Sequence, residues 1–289
     1  MGRAKKPLQI ALASSFVKQK VAGRGRWHVL LALGLFLGLP AALAAQDSFD
    51  TGALARVLEK YVTPNGQVRY ADLKAHPGNL EEFIGQLAAL SPENRPDLFP
   101  TPAAQMAYWL NAYNAFVLHA VVKAYPIDSV RDLRFGFGVL FFKRAQFVAG
   151  GKAYSLDDIE HGILRQRFAD PRIHFAVNCA STSCPPVPRQ PFEADQLEKQ
   201  LEQAASNFMA RQENVWMRGD VLFLSKIFDW YGDDFLKALE RQGVKNPTVV
   251  DYVLRYLPAS VAERVRQEKP RLEFYRYDWS LNDASVRAD

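Results

Sequence analysis

The chain has 289 residues, 48% of them hydrophobic and 12% aromatic, and a formal net charge of +5. The basic excess is confined to residues 1–45, which hold 7 of the 36 Lys and Arg and none of the 31 Asp and Glu, so the remaining 244 residues carry 29 bases against 31 acids. A slightly acidic body with an ordinary apolar content argues against a nucleic-acid or membrane-surface partner, and for a folded domain that needs no disulfide scaffold.

Residues 1–45 read as a cleavable leader. Seven bases between Arg3 and Arg26 precede the uncharged run VLLALGLFLGL at 29–39, and Pro40 leads into AALAA. A basic start, a short apolar centre and a small-residue exit form a secretory signal peptide, with cleavage expected after Ala44 or Ala45. The apolar stretch falls short of the ~20 residues of a spanning helix. No Cys stands at its exit and no paired arginines precede it, so the general secretory route is expected, with no lipid anchor. The expected destination is the periplasm or the exterior, with no membrane attachment after cleavage.

In the mature part, residues 46–289, helices are expected at 50–61, 79–90, 103–124, 155–168, 193–211, 227–240 and 247–268, the last interrupted at Pro258. Four prolines in residues 91–102 (SPENRPDLFPTP) separate the first helices from the main body without the length or polarity of a linker. One domain is therefore expected at about 50–283. The strongest helix is 103–124, with Thr101 as N-cap, Pro102 at the first position and Pro126 as the stop. It is apolar on nearly every side (MAYWLNAYNAFVLHAVV), which marks a central, buried helix. Ser155 and Asp158 form a capping box for the helix that follows.

Strands are expected as hairpins at 145–155, turning on Gly150-Gly151, and at 215–224, turning on Gly219-Asp220. The run IHFAVN at 173–178 reads as a buried strand, and LEFYRYDW at 272–279 as a final one. Hairpins and clustered helices without βαβ alternation give an α+β fold: a central, mostly antiparallel sheet packed against several helices.

Three polar clusters interrupt this pattern. The first is NCASTSCPP, where the expected buried strand runs into a loop holding Asn178, Ser181, Ser183 and the only two cysteines, Cys179 and Cys184. In an oxidising compartment their default fate is a disulfide. A nucleophilic Cys179 or Cys184 is the alternative and requires an activating base, for which His174 and His119 are the candidates. Redox exchange is a third reading, although the spacing is not C-x-x-C. The scattered His and Cys make no metal-ligand set, and no cofactor is implied.

The second cluster is Asn111 and Asn114, i,i+3 neighbours on the long helix, whose amides must bond either the cysteine-loop backbone or a ligand. The third is SKIFDWYGDDF. There Ser225 reads as a cap and Phe228, Trp230 and Phe235 as core, with Asp229, Asp233 and Asp234 free to orient a histidine. Trp230 and Tyr231 join Asn111, Asn114, Asn178, Ser181 and Ser183 as binding candidates.

Taken together, WLNAYNAFVLHAVV, SLDDIEHGILR, DPRIHFAVNCASTSCPP, LSKIFDWYGDDF and YDWSLN resemble, in that order, the bacterial exported branch of the domain of unknown function 547 family. The resemblance covers roughly 50–283. It implies a single domain with no settled activity, loosely associated with thiol-disulfide chemistry by naming, and with a distant papain-like or transglutaminase-like likeness conceivable. The family's plant branch lacks cysteines at the positions of Cys179 and Cys184 and keeps the serines of Ser181 and Ser183. That fits a dispensable disulfide better than an obligatory nucleophile. The expected function is a binding module for a small polar or peptidic ligand, or a periplasmic protein, with a polar pocket between the Asn111/Asn114 helix and the cysteine loop. A cysteine-dependent hydrolase or acyl-transferase is the alternative, and a thiol-disulfide exchange protein the second.

Overall fold

The computed structural model describes residues 49–133 and 139–285. The leader expected over 1–45 lies outside the described residues. Helices α2 (Tyr70–Ala75) and α3 (Gly78–Ala89) pack on the long helix α4 (Pro102–Ala124), and α1 (Gly52–Tyr61) packs on α2 and α3. α4 starts where the sequence predicts: Pro102 occupies the first turn and Thr101 Oγ1 accepts the Ala104 N–H at 3.1 Å. Every residue from Met106 to Leu118 is buried, because α4 is covered on several sides and an apolar helix surface has no other stable place. No helix among the described residues is long and apolar enough to cross a membrane.

After α5 (Val139–Arg144) the chain forms the hairpin β1 (Phe147–Ala149) and β2 (Lys152–Tyr154). Its Gly150-Gly151 turn docks on the end of α3 by N–H bonds to Leu87 and Ala88 carbonyls at 2.9 and 2.8 Å. Gly150 is required twice over: its φ is +56°, and a Cβ would stand 2.1 Å from Ser91 Oγ. The Ser155–Asp158 capping box is present, with Ser155 N–H to Asp158 Oδ2 at 2.8 Å and Asp158 N–H to Ser155 Oγ at 3.0 Å. The helix it opens then widens into a π-helix, Asp158–Phe168, packed against α4.

The fold is α+β, as composition and pattern predict, but its sheet is divided into two small ones, β1-β2 and β3-β4-β5. After α6 (Leu197–Met209), β3 (Val215–Arg218) and β4 (Val221–Leu224) form the expected hairpin, and β5 (Arg271–Phe274) pairs parallel to β4. A parallel pair needs a long crossover, supplied here by α7 (Lys226–Trp230), α8 (Gly232–Arg241), α9 (Val249–Val253) and α10 (Ala259–Glu268). The final strand is shorter than predicted. Beyond Phe274 the chain becomes a strap that makes single bridges at Ser280 to Ser129, Leu281 to Ser181 and Asp283 to Val68.

Two expected elements take another form. The helix expected at 227–240 is broken at Tyr231, between α7 and α8. The strand expected at 173–178 is a 3₁₀ turn, Pro171–Phe175, capped by Asp170, followed by irregular buried chain. A short apolar run reports burial and not periodicity. Here the buried main chain is satisfied by a side chain and not by a neighbouring strand: Asn114 Nδ2 donates to Ala176 O and Asn114 Oδ1 accepts from Asn178 N–H, both at 2.9 Å.

Among the described residues the buried apolar side chains form two clusters. One is built on α1–α4 and the π-helix, the other on α6, α7, α8 and the three-stranded sheet, and Trp279 of the strap packs against both.

Candidate functional site

The cysteine loop is a tightly bonded turn. Asn178 Oδ1 accepts the Ala180 N–H at 2.7 Å, and its Nδ2 donates to Pro185 O at 2.5 Å, which closes the loop across its base. Ala180 takes the left-handed conformation, φ +63°, held there by the Asn178 side-chain bond to its N–H. Cys179 and Cys184 stand at disulfide-bonding distance, their Cα atoms 6.2 Å apart. Cys184 Sγ receives the Cys179 N–H at 2.9 Å and the Tyr277 hydroxyl at 3.1 Å. Ser181 Oγ lies 3.0 Å from Cys179 Sγ and 3.1 Å from Tyr277 OH, and Ser183 Oγ accepts the Asp278 N–H at 2.9 Å. The serines therefore tie the loop to the C-terminal strap.

Beside this loop lies a cleft of about 640 Å³ on the seam between the two clusters. Tyr113 of α4, Glu160 and His161 of the π-helix, and His174 line it together with Val177, Cys179, Cys184 and Pro185. Ile227, Trp230 and Tyr231 enter from α7 and the break after it, Tyr277 and Trp279 from the strap, and Arg131, Phe142, Lys143 and Asp157 complete the lining. Trp230, Tyr277 and Trp279 form an aromatic group with ring centroids 4.7–5.8 Å apart. Trp230 is 46% exposed, a position that contradicts its expected place in the core, whereas Phe228 and Phe235 are buried as expected.

Glu160 is buried in this cleft and accepts two phenol hydroxyls, Tyr113 OH at 3.0 Å and Tyr231 OH at 2.7 Å. Burial, reinforced by the Glu160 charge, pushes both phenols well up, so they remain neutral donors. The π-helix presents the adjacent Glu160 and His161 to the lining. Tyr231 reaches Glu160 from the break between α7 and α8, and stacks on His174 with centroids 3.8 Å apart.

His174 is almost fully buried, and its Nε2 lies 2.8 Å from Asp234 Oδ2. Burial pushes the imidazole down, against the opposing pull of its hydrogen bond to Asp234. Burial also opposes ionisation of Asp234, but hydrogen bonds from His174 and Arg165 outweigh it and hold the carboxyl well below the usual range. With Arg165 as the fixed cation of the group, the pair is a neutral imidazole donating from Nε2 to a carboxylate, which leaves Nδ1 as an acceptor. Nδ1 is buried without a hydrogen-bond partner among the described residues.

Residues 99–209 match the family model described as "Protein of unknown function, DUF547". Over these residues, fewer than half of the chain, the protein is similar to the DUF547 family. No curated protein and no solved structure matches the chain. The DUF547 segment supplies Tyr113, Glu160, His174, Cys179 and Cys184 to the cleft. Trp230, Tyr231, Tyr277 and Trp279 lie downstream of it, so the matched segment alone does not enclose the site.

Within and around the DUF547 segment, the candidate residues fall into two groups. Cys179, Cys184, His174, Trp230 and Tyr231 line the cleft. Asn111, Asn114, Asn178, Ser181 and Ser183 do not; they hold main chain and strap. Asn111 Nδ2 donates to Phe192 O at 2.8 Å and its Oδ1 accepts from Phe192 N–H at 2.9 Å, so both ends of the amide are occupied. The open space between α4 and the loop lies along Tyr113 and the cysteines. His119 stands half-buried near Lys123 and Glu81 and is not in the lining. Sequence reasoning missed Glu160 and His161: the motif SLDDIEHGILR showed its capping box, while its acid and histidine are identified as lining only by the packing of the π-helix against α4.

Proposed function

We propose that this is an exported binding module that takes a small polar or peptidic ligand, free or presented by a partner protein, in the cleft beside the cysteine loop. The observation that carries the reading is the cleft itself: a ligand-sized concavity with aromatic walls and a few convergent polar groups, the usual build of a small-molecule site. The half-exposed Trp230 at this cleft favours the same conclusion, since a large aromatic left in solvent beside other aromatics is a surface for contact. The test is a thermal-shift screen of dipeptides and small aromatic amines on wild-type protein and on Trp230→Ala. Ligands that stabilise the wild type are expected to lose that effect in Trp230→Ala. Shifts of equal size in both proteins would overturn the reading.

The His174–Asp234 pair favours a second reading, a cysteine-dependent hydrolase or acyl-transferase that becomes competent only after the disulfide is reduced. The N–H and hydroxyl donors around Cys184 Sγ would favour its thiolate, and His174 lines the same cleft. Rapid iodoacetamide labelling of one cysteine near neutral pH after gentle reduction is the expected result on that reading. Equal, slow labelling of both would remove it.

A further inference from the structure

Resting on the cleft as a binding site, we infer that its ligand carries a cationic amine, received by Glu160 and the aromatic group of Trp230, Tyr277 and Trp279. A buried carboxylate is costly unless a cation faces it. Glu160 is 8% exposed, and its two hydrogen-bond donors, Tyr113 and Tyr231, are neutral. The neighbouring bases are committed elsewhere. Arg165 makes two bonds to Asp234 at 2.6 and 3.0 Å, His174 bonds the same carboxylate, and His161 faces Asp157 at 3.7 Å. Among the described residues no Lys, Arg or His stands in ion-pair contact with Glu160.

The remaining cations of the cleft, Arg131 and Lys143, are exposed. Solvated charges are screened far more than a buried one, so Glu160 sets the sign of the field in the interior of the cleft. Asp157 adds to that sign. The aromatic group supplies the second half of an ammonium site, because ring faces attract cations. One such contact already exists at its edge, with the Arg131 guanidinium 5.7 Å from the Trp279 ring centroid. The ligand class is therefore a primary ammonium or guanidinium on an apolar body, as in an amino-acid amide or the amino end of a peptide.

Three probes of one shape and different charge decide the matter: 2-phenylethylammonium, 2-phenylethanol and 3-phenylpropanoate, titrated calorimetrically into the full chain at low and at high salt. The ammonium is expected to bind at least about tenfold more tightly than the alcohol, with the carboxylate weakest. Glu160→Gln is expected to abolish the preference, and Trp230→Ala to weaken the ammonium most. Equal binding of ammonium and alcohol would overturn the amine assignment and leave the cleft as a binding site. A preference that survives Glu160→Gln would overturn the role of Glu160. Binding of none of the three would overturn both this inference and the binding reading beneath it. Should Glu160→Gln fail to fold, the wild-type preference for the ammonium and its decline with salt decide the assignment.

Discussion

His174 Nε2 lies 2.8 Å from Asp234 Oδ2, and Arg165 holds both oxygens of the same carboxylate. Sixty residues separate the two partners in sequence, and the contact forms only because the 3₁₀ turn after Asp170 packs against α8. The imidazole is thereby fixed as the Nε2–H tautomer, with its face on Tyr231.

Asp234→Asn removes the charge that Arg165 and His174 share. Hydrogen bonds to a charged group contribute about 1.5–3 kcal/mol, and Asp234 is partly buried, so a loss of about 2 kcal/mol in unfolding free energy is expected at pH 7. The folded pKa of Asp234 is depressed. Its stabilisation is therefore complete above the ordinary carboxylate range and lost as the pH falls through and below it. His174 is depressed as well, so the folded state is also penalised as the pH falls below ~6.5, where the unfolded histidine gains a proton. Urea denaturation from pH 7 to pH 3 in a His174→Gln background, where no imidazole titrates at this position, should show the cost of adding Asp234→Asn shrinking at the acid end. A cost that stays constant or rises would contradict this pairing.

Asn111→Ala and Asn114→Ala each leave a buried N–H and a buried carbonyl without partners. At about 1–3 kcal/mol for each unsatisfied group, both variants should lose roughly 3 kcal/mol. Their effects on the cleft should differ. Asn114 holds Ala176 and Asn178 next to the lining, whereas Asn111 holds Phe192, which is not part of it. Affinity for a cleft ligand, measured at a temperature where both variants are folded, should fall in Asn114→Ala and stay near wild type in Asn111→Ala.

Reduction of the Cys179–Cys184 pair removes a short loop closure, which in the chain-entropy model stabilises by roughly 2 kcal/mol. The loop itself should persist, because Asn178 closes it by two hydrogen bonds and the strap is tied to Ser181 and Ser183. Thermal melts with and without reductant should differ, while amide exchange over residues 176–185 stays slow in both. Rapid exchange across that segment after reduction would show that the disulfide alone maintains the turn.

Local chemistry was legible in the sequence. The N-cap and proline that start α4, the Ser155–Asp158 capping box and the diglycine turn at 150–151 depend on neighbours within a few residues, and all three are present. The apolar surround of α4 likewise foretold its burial, and the mixture of hairpins and helices foretold the α+β class.

The tertiary structure alone decided what those elements enclose. No period in IHFAVN reveals that an amide of α4 will satisfy its backbone, so burial was mistaken for a strand. The π-helix that presents Glu160 and His161 to the cleft has no composition signal, and Tyr231 enters the cleft at a helix break that the sequence pattern does not show. Asn111 and Asn114, polar and conspicuous in the sequence, became fastenings, while Glu160, inconspicuous beside a capping box, became the buried charge of the cleft. A sequence reports what each residue does to its neighbours along the chain. Which buried polar group meets its partner and which is left facing open space depends on contacts across 47 to 71 residues, as Tyr113 and Tyr231 make to Glu160, and only the packed chain supplies them.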